Sequence, residues 1–162
     1  MEQEMSVYVS ALQDSLKNKY EALQKVYDAT KKQQEAVSGE ELNIDAFETA
    51  VEEKESLLQR IQDLDDGFNS IYTKIGDALH QQKQQYKPQI LEMQNMLRTM
   101  TDLGVKIQAL EQKNKNRFEG LVAKKRHEIR NFQANNRTAN TYNQHMANQH
   151  QQWQTYFLDK KQ

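Results

Sequence analysis

The sequence predicts an all-α protein, an elongated antiparallel three-helix coiled-coil bundle followed by a polar, partly flexible C-terminal segment. Three observations carry that expectation. Apolar residues recur at alternating three- and four-residue spacing over most of the chain. One Pro and five Gly in 162 residues leave too few turn formers for a β fold. Only 36% of residues are hydrophobic and the mean hydropathy is −1.02, a balance that suits long, surface-rich helices better than a thick globular core.

The first helix is expected from about Ser6 to Ala36. Val9, Leu12, Leu16, Leu23 and Val26 fall three or four apart, with Tyr20 and Tyr27 at the flanks. The stretch "SGEELNID" interrupts it, and Asp45 followed by Glu48 reads as a capping box opening the next helix. Phe47, Val51, Leu58, Ile61, Phe68, Tyr72, Ile75 and Leu79 form the seam of that second helix, widened by Leu57, Leu64 and Ile71 and interrupted by Lys54 and Asp65. Gly67 and Gly76 predict a bend or a close helix contact rather than a break.

Pro88 suits the first turn of a third helix, where its missing N–H has no intrahelical partner. Lys87 before it is pushed toward extended geometry, which places a tight connection near residues 84–88. Ile90, Met93, Leu97, Met100, Leu103, Ile107, Leu110, Phe118, Leu121, Ile129 and Phe132 then continue the apolar pattern. The second and third helices would each run ~40 residues, or ~60 Å. Short connections between such helices make them antiparallel neighbours. The expected division is a bundle over residues 1–132 and a partner-binding segment over 133–162.

Charge is distributed unevenly. Residues 1–87 hold ten Lys/Arg against seventeen Asp/Glu, and residues 88–162 hold twelve against six. Helices folded back on one another would set these halves side by side, which explains the basic run 113–137 without a nucleic acid. The chain has no cysteine, so it has no disulfide framework and no thiolate metal site. "MEQEMSVYVS" lacks the basic start and apolar core of a signal peptide, and no run approaches a membrane span. The expectation is a cytoplasmic protein without membrane insertion.

Catalytic chemistry finds little support. His145 and His150 are five apart, and neither has a carboxylate or second histidine at the spacing of a helical metal site. "QDLDDGFNS" resembles a calcium loop only superficially: with Gly67 at the glycine position, Gln62 and Leu64 stand where oxygen ligands belong. There is no Gly-rich phosphate loop and no nucleophile elbow. No enzyme, cofactor or metal is expected.

The chain end is different in character. Ten of the twenty residues in 133–152 are Asn or Gln, a composition that cannot bury enough apolar area to offset its own ordering. Yet Tyr142, Met146, Trp153 and Phe157 fall on one helical stripe, and Tyr156 and Leu158 adjoin it. These six are the candidate partner-binding residues: polar enough around them to stay dissolved, apolar enough on one face to dock. The competing expectation is that they cap the bundle's own end.

The helix arrangement, the stretch "AVEEKESLLQRIQDLD" (50–65), Tyr142 and the ending "FLDKK" (157–161) together resemble the FlgN-type flagellar export chaperones. Members of that family from Gram-positive anaerobes carry a tyrosine after the third helix and end near an aromatic–x–Asp–Lys–Lys element. The resemblance implies a chaperone of type III export that keeps hook–filament junction (hook-associated) subunits unpolymerised until secretion, binding them through its C-terminal segment. It implies those flagellar hook-associated proteins as partners, with the export gate as a further candidate, and a monomer or homodimer. The alternatives are a structural coiled-coil adaptor without chaperone activity, or a helical nucleic-acid-binding protein.

Overall fold

Seams at heptad spacing need helices long enough to use them, and three form among the described residues. The computed structural model describes residues 2–130. In chain order these are α1 (Glu2–Ala36), α2 (Ile44–Gln81) and α3 (Lys87–Ile129), of 35, 38 and 43 residues. Among the described residues there is no strand, so the all-α helical bundle expected from the periodicity is the observed architecture. Phe132 and the segment 133–162 lie outside the described residues.

The ends of the helices are set by local chemistry. Beyond Ala36, Val37 N–H is shared between the Gln33 and Gln34 carbonyls, and the Ser38 hydroxyl donates to the Glu35 carbonyl at 2.8 Å. Asn43 N–H returns to the Ala36 carbonyl at 3.0 Å, closing the loop. The N-cap of α2 is Asn43, whose Oδ1 accepts from Ala46 N–H at 3.2 Å. Asp45 is therefore inside the first turn of α2, where its charge complements the helix dipole, and not the cap that its spacing to Glu48 suggested. Asn and Asp cap about equally well, so the loop geometry decides between them. The second connection occupies residues 82–86, held by Tyr86 N–H to the Gln82 carbonyl. Lys87 is helical and Pro88 is the second residue of α3, so the steric push toward extended geometry is overridden one residue earlier than expected.

The described chain divides into two packed units, each drawing on all three helices: residues 2–25 with 56–103, and residues 26–55 with 104–130. In the first, Val9, Leu12, Leu16 and Leu23 of α1 are buried with Ile61, Ile75 and Leu79 of α2 and Met93 and Met100 of α3. Tyr86 anchors the second connection in that core. The Ser15 hydroxyl donates to the Leu64 carbonyl, and the Lys19 ammonium meets the Asp65 carboxylate at 2.9 Å with both side chains buried.

In the second unit Ala36, Val37, Phe47, Val51, Phe118, Leu121 and Val122 form one cluster, with Leu42 packed over it. Phe47 and Phe118 stack at 4.7 Å between ring centroids. Seven residues on along α2, Lys54 pairs with Glu111, which lies seven residues back along α3. The two contacts run in opposite chain directions, so α2 and α3 are antiparallel here. By the same reasoning Thr30 with Asn114 and Val37 with Arg117 set α1 parallel to α3. Arg117 directs its Nε to the Val37 carbonyl at 2.9 Å and its Nη2 to the Gly39 carbonyl at 3.0 Å, capping the C-terminal end of α1 from another helix.

Two seam expectations are corrected, while α2 runs through Gly67 and Gly76 without a break, as expected. Tyr72 is 52% exposed and Leu97 45% exposed, since being in register with a seam does not guarantee a partner helix on that flank. Neither central glycine marks a close approach. A Cβ at Gly67 would meet open space, and one at Gly76 would touch only Tyr72, a turn earlier on α2.

Ile61 is fully buried, so Ile61→Asp should lose its burial and add an unpaired charge, destabilising the fold by several kcal/mol. Glu53→Ala removes only an exposed pair with Lys32 and should shift stability by no more than about 1 kcal/mol. Similar melting temperatures for the two variants would contradict the assigned core. Arg117→Ala should lose about 1–2 kcal/mol in urea unfolding. Arg117→Lys should not restore it, because an ammonium cannot span two carbonyls as the guanidinium fork does.

Candidate functional site

Pro88, Leu91, Glu92, Asn95, Met96 and Thr99 follow one another over three turns of α3, and with Tyr20 of α1 they line an open groove of about 530 Å³ within the first unit. Leu91 is 48% exposed there. Glu92 stands at its edge, receiving a hydrogen bond from the Gln13 amide at 3.2 Å and an ion pair from Lys17 at 3.6 Å. Those partners hold the carboxylate against α1. The lining offers aliphatic and thioether surface edged by a phenol, an amide and a hydroxyl. Its chemistry suits an apolar side chain or the face of an amphipathic helix, and methionine can adapt its shape to either.

The second concentration of function-bearing side chains is buried. In the second unit the Lys54 ammonium is 1% exposed and donates to the Glu111 carboxylate and to Gln33 Oε1, the latter at 2.9 Å. One turn on, the Asn114 amide donates to the Thr30 carbonyl at 2.9 Å. The Thr30 hydroxyl bonds back to the Val26 carbonyl, and the Thr30 carbonyl, an acceptor with two lone pairs, takes the amide from α3. Desolvation pushes the Lys54 ammonium below its ordinary value of 10.5, and the facing Glu111 carboxylate opposes that shift without cancelling it. The arrangement holds three helices in one register; it offers no opening to a substrate.

Of the residues singled out from sequence, Tyr142, Met146, Trp153, Tyr156, Phe157 and Leu158 all lie outside the described residues. The groove was missed. Its signal was present in Tyr20, at the flank of the α1 seam, and in Leu91 and Met96, apolar residues of α3 away from its main stripe. The Lys54 cluster was half visible: the lysine stood out as a seam interruption, but nothing local named Gln33 or Glu111 as its partners.

No family model, curated protein or solved structure matches the chain. Among the described residues, no helix is long and apolar enough to cross a membrane.

The Lys54 shift has a consequence for stability against pH. Because the folded pKa is lowered, the unfolded chain binds more protons than the folded one between that value and 10.5. Stability contributed through this group therefore rises with pH across that interval. Urea unfolding of wild type and Lys54→Met from neutral pH upward should show wild type gaining on the variant as 10.5 is approached. A constant difference would mean that Lys54 is not desolvated.

Proposed function

We propose that this protein is a cytoplasmic export chaperone of the FlgN type, which binds hook-associated flagellar subunits and keeps them unpolymerised until secretion. The observation that carries the reading is the apolar stripe of Tyr142, Met146, Trp153 and Phe157, which in the sequence begins within an Asn/Gln-rich stretch, ten residues after the apolar seam ends at Phe132. Polymerising subunits expose amphipathic helices that self-associate, and an aromatic stripe on a soluble carrier can cover such a face until delivery. Trp153, Tyr156, Phe157 and Leu158 supply the large anchors that dominate such contacts. The groove between Tyr20 and Leu91 adds a second apolar surface suited to a helix.

Purified hook-associated subunits give the test. Trp153→Ala should weaken their binding at least ~30-fold, the effect of losing about 2 kcal/mol. It should leave the helical content and melting temperature unchanged. Trp153 is the only tryptophan, so its emission should shift blue on addition of the subunit and not before. An indole already buried in the free protein, together with a lower melting temperature for Trp153→Ala, would assign the aromatics to capping the bundle and remove the main support for the chaperone reading.

A further inference from the structure

The second unit carries opposite charges on two of its outer faces, and most of those charges are unused within the fold. Residues 26–55 hold nine Asp/Glu against three Lys/Arg, while residues 104–130 hold eight Lys/Arg against three Asp/Glu. The chain was expected to neutralise this imbalance internally. Its strongest pair in this unit, Lys54 with Glu111, instead has the reverse polarity, and Arg117 is directed to backbone carbonyls. Lys32 takes Glu53, Lys31 takes Asp28, and Lys125 takes Glu128. Glu35, Glu40, Glu41, Asp45 and Glu52 remain exposed without an ion pair among the described residues, as do Lys106, Lys113, Lys124 and Arg130.

Their spacing arranges them. Lys106 and Lys113 are two helical turns apart and Lys124 is three turns further, so the three share one outer face of α3 over ~27 Å. Asp45 and Glu52 are two turns apart on α2, and Glu40 and Glu41 precede them in the loop. Each strip is flanked, about a quarter turn round its helix, by an exposed aliphatic side chain: Val105 at 56% exposure and Ile44 at 41%. Here α2 and α3 are antiparallel neighbours. A two-fold axis can therefore lay the acidic strip of one molecule on the basic strip of another and return the same contact. The net charge of −1 means that two molecules approach without overall repulsion.

We propose that these strips form a reciprocal interface between two copies of this chain, made by Lys106, Lys113 and Lys124 of one copy with Glu41, Asp45 and Glu52 of the other. Exposed pairs contribute little singly, so the dimer depends on several acting together and is sensitive to salt. The inference does not depend on the chaperone reading, and it leaves Tyr142 through Leu158 out of the contact.

Sedimentation of the full chain tests it. The association constant should fall at least about tenfold between roughly 50 mM and 500 mM salt, as the screening length shortens from beyond the reach of neighbouring charges to within it. Two variants sharpen the test. Lys113→Glu with Lys124→Glu makes both strips acidic, and Asp45→Lys with Glu52→Lys makes both basic. Each should be monomeric alone at low salt, with the wild-type helical signal, and an equal mixture of the two should recover dimers. A wild-type monomer at low salt, a dimer indifferent to salt and to both variants, or a mixture that stays monomeric would each overturn the proposal. Circular dichroism separates lost association from lost folding, and the wild-type salt titration needs no substitution at all.

Discussion

Lys54 puts an ammonium group where α2 meets α1 and α3, out of reach of water, and the packing of the second unit follows from how that charge is compensated. Along α3 the sequence at heptad spacing reads Gly104, Glu111 and Phe118, and within the second unit Glu111 faces Lys54 and Phe118 faces Phe47 of α2. A slip by one heptad would separate the stacked rings of Phe47 and Phe118. It would also set Lys54 against a glycine or a phenylalanine and leave Glu111 facing an aliphatic side chain or a ring. Stranding a buried charge costs several kcal/mol, a large share of the marginal stability of a small bundle. The ion pair is thus a weak source of net stability and a strong source of register. Lys19 with Asp65 does the same for α1 and α2 in the first unit, and Asn114 on the Thr30 carbonyl supports the choice in the second.

What could be read from the sequence divides along the same line. The α1 residues Val9, Leu12, Leu16, Leu23 and Val26 were legible because a stripe at 3.5-residue spacing is a property of one helix, and all five are buried. The polar interruptions of α2 were legible as positions but not as pairs. Gln33, Lys54 and Glu111 come from three helices, and their meeting depends on register that no local pattern encodes. Buried Asn114 and Glu111 look like solvated residues for the same reason. Tyr72 and Leu97 show the converse error, in which an apolar residue in phase with a seam has no helix to cover it. The cap of α2 turned on a choice between Asn43 and Asp45, which propensity cannot separate.

These constraints also shape the functional account. A bundle whose register is set by buried polar pairs is a poor candidate for large rearrangement, since opening it would strand Lys54 and Lys19. Partner recognition is better served by surfaces that can change occupancy without disturbing those pairs: the groove along α3, the charged outer strips, and the aromatic stripe of the chain end. Each engages different residues, so the proposed cargo, the proposed second copy and the bundle's own stability can be altered separately by mutation.

The most direct measurement of the central claim is a double-mutant cycle on Lys54 and Glu111, read by equilibrium unfolding. Lys54→Met alone and Glu111→Leu alone each leave a buried charge without its partner. Each should destabilise by about 3–5 kcal/mol. The double variant replaces the pair with apolar side chains of similar length and should unfold with a stability close to that of wild type, or above it, while its amide spectrum loses the single sharp set of signals that one register gives. Small, additive losses from the two single variants, or a double variant that keeps one sharp set of signals, would contradict the assignment of register to this pair.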